Sequence, residues 1–356
     1  MPASSRRPFD QAGRPIPLSE ADLERVQQVL GEAWAESTRI VYGSGLLAFH
    51  VMCDARNVSE EQRAPVSNVL IAAFIASLAG SYSASTIRNY VYGIRAWHLI
   101  HGAAWTRNQD ELDSLLKGAL QLAPKLSARA KRQPCTVQYL QAIRSELNLQ
   151  NPLDAAAWAV LTVAFFSLAR LGELLVTRLD GFTPGEHVSP CHVRQDLDRE
   201  GRRVWVVHIP RTKSAPSGED LCFATQADPV DPVAALQNHL SVNDPAENGP
   251  LFAYKKQTGH GYETRPMTKK AFCSRIAQAA ARVNLETLKG HSLRIGGTLE
   301  YLLRGTPFDV VKTMGRWKSD AFQLYLRKHA QILAPYLQAN PPVQEAFTRY
   351  SMPPVR

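Results

Sequence analysis

Apolar residues recur at helical spacing through the first third of the chain. Leu23, Val26 and Leu30 share one face, and Asp22 stands three residues after Ser19 in capping-box fashion, so a helix is predicted to start at Ser19. A second helical segment follows from Ser37. A third, VSNVLIAAFIASLAG, stops at Gly80. The fourth is ASTIRNYVYGIRAWHLIHG, with Ile87, Tyr90, Val91, Ile94 and Trp97 on helical positions and Gly102 as its stop. A fifth covers about 109–122. Five helices joined by short loops make a compact helical domain over 1–122. The pair Gly43 and Gly45 falls inside a helical pattern, which weakens any phosphate-loop reading.

The pattern then breaks. APKLSARAKRQP carries Lys125, Arg129, Lys131 and Arg132, no acid, and a proline at each end. It is predicted to be a basic linker over 123–135, able to lie along phosphates or simply to be solvated. From Thr136 helices are predicted over 136–149 and 152–168. Next, CHVRQDL, DREG and RRVWVVHIP form a hairpin pattern in which Val204, Val206 and His208 alternate with Trp205, Val207 and Ile209. The turn RTKSAPSGED leads to a third strand around 221–225. Helices follow over 231–241, 268–283, 292–304, 307–315 and 319–333, and a Pro-rich tail holds one amphipathic piece, VQEAFTRY, at 343–350. The predicted fold is mainly α with a small antiparallel β-sheet: a helical domain, a linker, and an α+β domain with its tail over 136–356.

Composition narrows the class. A length of 356 residues favours two cores over one, and 45% hydrophobic residues exclude wholesale disorder. No apolar run approaches the roughly 18 residues of a membrane span, and MPASSRRPFDQAGRP lacks the apolar stretch of a signal peptide. A soluble, intracellular protein with no membrane partner is expected. The five cysteines are scattered, which suits free thiols. Cys191 and His192 are adjacent without zinc-site spacing, so no structural zinc is expected. The 41 Lys and Arg exceed the 32 Asp and Glu by nine, and eight of those nine excess charges lie beyond residue 130. Such asymmetry points to a polyanion, nucleic acid first, although a basic soluble domain fits charge alone equally well.

Four clusters carry candidate chemistry. Arg170 follows the hydrophobic helix AAWAVLTVAFFSL, with Glu173 close enough to orient it; in isolation the two read as a surface ion pair. Lys213 sits at the tip of a hairpin turn, where solvated lysines are common. His291 and Arg294 stand at i and i+3 in the first turn of a helix, on one face and at the end whose dipole favours anions. Alone, an H-x-x-R is more often a helix-start histidine beside an unrelated arginine. The fourth cluster is GRWKSDAFQLY, with Trp317 and Tyr325; Tyr325 on its own reads equally as a core aromatic. Together the set has a logic. Guanidinium groups match phosphate oxygens and stay charged, a phenol is a nucleophile once its proton is removed, and a lysine can protonate a leaving oxygen. That is a toolkit for phosphoryl transfer at a diester without cofactor or metal.

In that order, A-R-L-G-E, R-T-K, H-S-L-R and G-R-W…Y resemble the tyrosine recombinase (phage integrase) family, and the helical first third resembles its core-binding domain. GRWKSDAFQLYLR, with SYSASTIRNYVYGIRAWH upstream, is similar to the eukaryotic recombinases of crypton-like mobile elements. The resemblance covers nearly the whole chain and implies an α+β tyrosine-recombinase catalytic domain. It implies that Arg170 and Arg294 clamp the scissile phosphate and Lys213 protonates the leaving 5′ oxygen. His291 would serve as acid/base, Trp317 would fill the family's His/Trp position, Tyr325 would attack, and Glu173 would support Arg170. Lys125, Arg129, Lys131 and Arg132 would contact DNA. It further implies double-stranded DNA as partner, a homo-oligomer that is a tetramer on DNA, a 3′-phosphotyrosyl intermediate, no cofactor or metal, and a nuclear location.

Two departures are visible. Trp317 replaces the commoner histidine, and Tyr325 lies eight residues beyond Trp317, one fewer than the commonest spacing. Tyr301 and Tyr336 are rivals by residue type, the first on the Arg294 helix and the second at the start of the tail. A type IB topoisomerase is disfavoured by the helical first domain and the H-x-x-R spacing. A domesticated, inactive DNA-binding protein is disfavoured by the complete residue set. A metal-dependent transposase would need clustered carboxylates, and Asp196 and Asp198 read as a turn without partners.

Overall fold

The computed structural model describes residues 9–10, 12–127, 132–212, 215–259, 261–319, 323, 326–327 and 329–337, without the side chains of 329, 335 and 336. The chain divides into two compact units, Met1–Ala130 and Lys131–Arg356. No helix among the described residues is long and apolar enough to cross a membrane.

Unit 1 is helical: α1 (Glu20–Gly31), α2 (Glu36–Ala55), α3 (Glu60–Arg63), α4 (Asn68–Leu78), α5 (Ala84–His101) and α6 (Gln109–Leu122). Ser19 and Asp22 form the expected capping box on α1, and Gly102 ends α5 with φ of 71°, a left-handed conformation that glycine adopts at little cost. The α2–α5 crossing is built from two reciprocal notches. A Cβ on Gly45 would lie 2.5 Å from the Tyr90 Cα, and one on Gly93 would lie 2.5 Å from the Tyr42 carbonyl oxygen. Phe49, Phe74, Ile87, Ile94 and Leu116 fill the core that this approach creates. The four-residue α3 is an addition to the predicted five helices, too short to leave a periodic signal.

Unit 2 is arranged around α8 (Pro152–Phe166), buried on every side from Asp154 onward. With it are α7 (Val137–Ser145), α9 (Leu171–Leu174), α10 (Pro232–Asn243), α11 (Lys269–Arg282), α12 (Gly290–Leu303), α13 (Phe308–Met314) and α14 (His329–Leu337). Strands β1 (Val193–Leu197), β2 (Arg203–Ile209) and β3 (Glu219–Phe223) form an antiparallel sheet in chain order, with Arg194 opposite Val206 and His208 opposite Asp220. Trp205, Val207, Ile209, Leu221 and Phe223 turn one face into the core. The third strand starts two residues before the predicted one. A second hairpin, β4 (Ala253–Thr258) with β5 (Gly261–Pro266), was not predicted. Its sequence, AYKKQT and GYETRP, is polar on both faces and mostly exposed, so no alternation marked it.

The predicted helix over 319–333 is corrected. Residues 326 and 327 are not helical, and α14 begins only at His329. Leu326 offers its carbonyl to Arg327 Nη1 at 2.7 Å, and Arg327 Nε reaches back to the Arg132 carbonyl at 3.4 Å. A side chain thus engages a carbonyl that an uninterrupted helix would use.

Two contacts hold the framework that carries the site. At one end of α8, Asp154 receives Arg275 Nε at 2.5 Å and Nη2 at 2.9 Å, joining α8 to α11, and both side chains are almost wholly buried. At its other end α12 passes so near that a Cβ on Gly297 would overlap the Phe165 carbonyl, and one on Gly296 would overlap that of Cys135. Replacing Asp154 by Ala strands the Arg275 charge in the interior, and a loss of about 3–5 kcal/mol in urea unfolding is expected. A loss under about 1 kcal/mol would mean that the pair is solvated like a surface bridge.

Candidate functional site

Arg294 lies in the first turn of α12 and has no exposed surface. A guanidinium stays charged at any physiological pH, so burial on this scale requires partners. Nη1 donates to the Leu168 carbonyl at 2.6 Å, and Nη2 donates to the Gly315 carbonyl. The guanidinium carbon stands 4.1 Å from the centroid of the half-buried Trp317 ring, a cation–π contact. Gly315 is required there, because a Cβ would occupy the volume of that ring. Arg294 therefore gathers the segments after α8 and α13.

Two residues beyond Leu168 stands Arg170, immediately before α9. Its backbone N–H donates to Glu173 Oε2 at 2.8 Å, and its Nη1 donates to Glu173 Oε1 at 2.6 Å. The Arg170 side chain remains 37% exposed while that of Glu173 is 8% exposed, so the arginine is held from beneath and open above. Glu173 thus holds Arg170 by both its backbone and its side chain.

His291, at the start of α12, is exposed. Its pKa lies below the ordinary imidazole value, first through partial desolvation and then through the positive charges of Arg132, Lys269, Arg294 and Arg170. Cations from the segment before α7, from α9, from α11 and from α12 all act on this one ring. At neutral pH the imidazole is uncharged and able to accept a proton.

Of the other expected residues, Lys125 begins a single 3-10 turn in unit 1, and Arg132 is exposed at the start of unit 2. Lys213, Tyr325, Arg129 and Lys131 lie outside the described residues, as do the tail segment 343–350 and the side chain of Tyr336. Tyr301, a rival to Tyr325 by residue type, turns its hydroxyl into the protein. Its hydroxyl donates to the Phe166 carbonyl at 2.8 Å, and burial pushes its pKa up to about 12. The reading of Asp196 and Asp198 is corrected: Asp196 lies in β1 at 3.4 Å from Arg194, and Asp198 holds Arg202 at 2.6 Å. Among the described residues no group of three His, Cys, Asp or Glu is placed to hold a metal ion. A cleft of about 610 Å³ in unit 1, lined by Leu46, Phe49, Ile94, Trp97 and His98 among others, contains none of the candidate residues.

Two residues at the site escaped the sequence reading. Arg316 donates from Nη2 to Glu173 Oε2 at 2.6 Å from an almost fully buried position. Lys269 follows the N-cap Thr268 of α11 and bears on His291. Lysines at 269 and 270, in a first helical turn, oppose the helix dipole, and that misplacement was the available signal. For Arg316 there was none beyond its place in the G-R-W string.

No protein-family model matches this sequence, and no curated protein matches it. Among solved structures, the XerH site-specific recombinase, captured on its palindromic difH substrate in a post-cleavage complex, is similar with a TM-score of 0.53 at 13% identity, over 94% of this chain and 85% of that one. A lambda integrase dimer bound to a COC′ core site is similar with a TM-score of 0.48 at 13% identity, over 86% of this chain and 94% of that one. The fold of this chain, mainly helical with small antiparallel sheets, is that of tyrosine-recombinase catalytic domains.

The depressed His291 pKa has a defined sign. Folding favours the neutral ring, so its contribution to stability is present above the unfolded value of about 6.5 and is lost as pH falls through the lower folded value. A titration followed by proton NMR is expected to give His291 a midpoint below 6.5 in the free protein. A midpoint at or above that value would contradict the lowering by desolvation and the surrounding cations.

Proposed function

We propose that this chain is a site-specific DNA strand-transfer enzyme of the tyrosine-recombinase type. It cuts and rejoins duplex DNA through a 3′-phosphotyrosyl intermediate, without metal or ATP. The observation that carries the reading is Arg170, held on Glu173 from beneath and open above, with His291, whose pKa is lowered first by desolvation and then by nearby cations, within its field. The XerH likeness in fold and the basic excess beyond residue 130 support it.

In this mechanism the Tyr325 hydroxyl attacks the scissile phosphorus as its proton passes to neutral His291. The bond from phosphorus to the 5′ oxygen breaks, and Lys213 supplies that oxygen with a proton. A 3′-phosphotyrosine and a 5′ hydroxyl result, and attack by a second 5′ hydroxyl reverses the step on a new partner strand. Fixed cations take the place a metal would have, offsetting the charge that grows on the non-bridging oxygens. The phosphate first meets Arg170, whose upper side is open. Arg294 is engaged on the Leu168 and Gly315 carbonyls beneath Trp317, so it reaches a phosphate only when the Gly315–Trp317 turn opens. The proposal includes assembly as a tetramer on two duplexes, DNA contacts from Lys125, Arg129, Lys131 and Arg132, and a nuclear location as the recombinase of a crypton-like mobile element.

The test is incubation with nicked suicide duplexes bearing the ends of the element, in EDTA. Wild-type protein is expected to form a covalent adduct that is absent in Tyr325→Phe. An adduct that persists in Tyr325→Phe assigns the attack elsewhere, and an adduct that forms only with magnesium contradicts the chemistry.

A further inference from the structure

Arg316 has an unusual backbone and an unusual set of neighbours. Its φ is 56°, a left-handed conformation that side-chain-bearing residues rarely adopt and glycine adopts freely. Yet a long cation stands there with its side chain 8% exposed. Nη2 donates to Glu173 Oε2 at 2.6 Å, and Nε lies 3.6 Å from Glu219 Oε1. Nη1 is buried and makes no hydrogen bond. A residue selected for stability alone would neither strain the backbone here nor leave a buried donor unmet.

The contacts form an alternating series. Arg170 meets Glu173, Glu173 meets Arg316, and Arg316 faces Glu219 at the start of β3. Glu219 Oε1 also accepts the Thr212 hydroxyl at 3.0 Å, and Thr212 precedes Lys213 in the chain. Two cations balance two carboxylates. Take Arg316 away and Glu173 keeps Arg170 as its cation partner while Glu219 loses the guanidinium that faces it, so this series holds two carboxylates against one cation. Arg170 would then be drawn down onto Glu173, and its open side would be lost.

We propose that Arg316 is a positioning residue that acts through Glu173 to keep Arg170 outward and chargeable by phosphate, and through Glu219 to tie that turn to the strand leading from Thr212 and Lys213. This rests on the DNA strand-transfer reading above. Lysine cannot replace it fully, because a single ammonium cannot address two carboxylates with a planar fork.

The test uses the full chain and the nicked suicide duplex in EDTA, with the single-turnover rate of adduct formation at saturating protein and the DNA Kd measured separately. Arg316→Gly suits the left-handed backbone and, with Glu173 still paired to Arg170, is expected to fold with a cooperative melting transition at a lower temperature. Its rate is expected to fall on the order of 100-fold, the size of effect that misplacing a reacting group produces, while Kd changes by less than about threefold. Arg316→Lys is expected to recover part of that rate. The double variant Arg316→Gly, Glu173→Gln is expected to be no slower than Glu173→Gln alone, since both changes interrupt one path. A wild-type rate in Arg316→Gly overturns the proposal, and so does a double variant whose losses multiply. Should Arg316→Gly fail to fold, a wild-type rate in Arg316→Lys overturns it instead. Absence of any adduct in wild-type protein would sink the strand-transfer reading itself. The Arg316 claim is then decided by the Arg170 Nε–H resonance, assigned with Arg170→Lys: movement in Arg316→Lys supports the contact path, and an unmoved signal overturns it.

Discussion

A guanidinium with no exposed surface organises the larger unit. Arg294 cannot shed its charge, so its burial is tolerated only because the Leu168 and Gly315 carbonyls and the Trp317 ring converge on it. Each partner places something else. Leu168 is two residues from Arg170, and Gly315 adjoins Arg316. Glu173 then closes the circuit by holding both of those arginines. The arrangement depends in turn on Gly296 and Gly297, which let α12 lie against the Cys135 and Phe165 carbonyls and so bring Arg294 within reach of Leu168.

The electrostatic result is a division of labour among like charges. Arg294 is buried with both terminal nitrogens on protein carbonyls, and Arg316 is engaged on carboxylates. Arg170 is half engaged and half open, while Arg132 and Lys269 are exposed. Partial desolvation, and after it the charges of Arg132, Lys269, Arg294 and Arg170, lower the pKa of His291. Arg170, Arg132 and Lys269 thus present charge at the surface of the free protein, whereas Arg294 is held inside on two carbonyls and a ring. The basic excess beyond residue 130 thereby acquires a local meaning, because several of those charges surround one histidine.

Much of this was legible in the sequence. Wherever apolar residues were regularly spaced or continuous, as in α1, α5, α8 and the β1–β2 hairpin, the elements lie where the pattern put them, because the signal is carried by neighbouring residues. Arg170 beside Glu173 and His291 beside Arg294 were readable because i, i+3 spacing is local. What was hidden is non-local. The β4–β5 hairpin is polar on both faces and leaves no alternation. The break before α14 depends on Arg327 taking the Leu326 carbonyl and reaching Arg132, nearly two hundred residues away in the chain. Arg316 joins Glu173 across 143 residues, through a left-handed turn that no residue preference announces. Whether Arg294 would be open or buried was also beyond reach, since Trp317 and Gly315 decide it together.

The decisive question is which atom of the protein bonds to DNA. After incubation in EDTA with the suicide duplex, trypsin digestion and mass spectrometry of the adduct identify the linked residue. The peptide spanning 319–327, SDAFQLYLR, is predicted to carry the mass of a 3′-linked nucleotide on Tyr325. Nucleotide mass on the Tyr301 peptide, on a serine, or on no peptide at all would contradict the account.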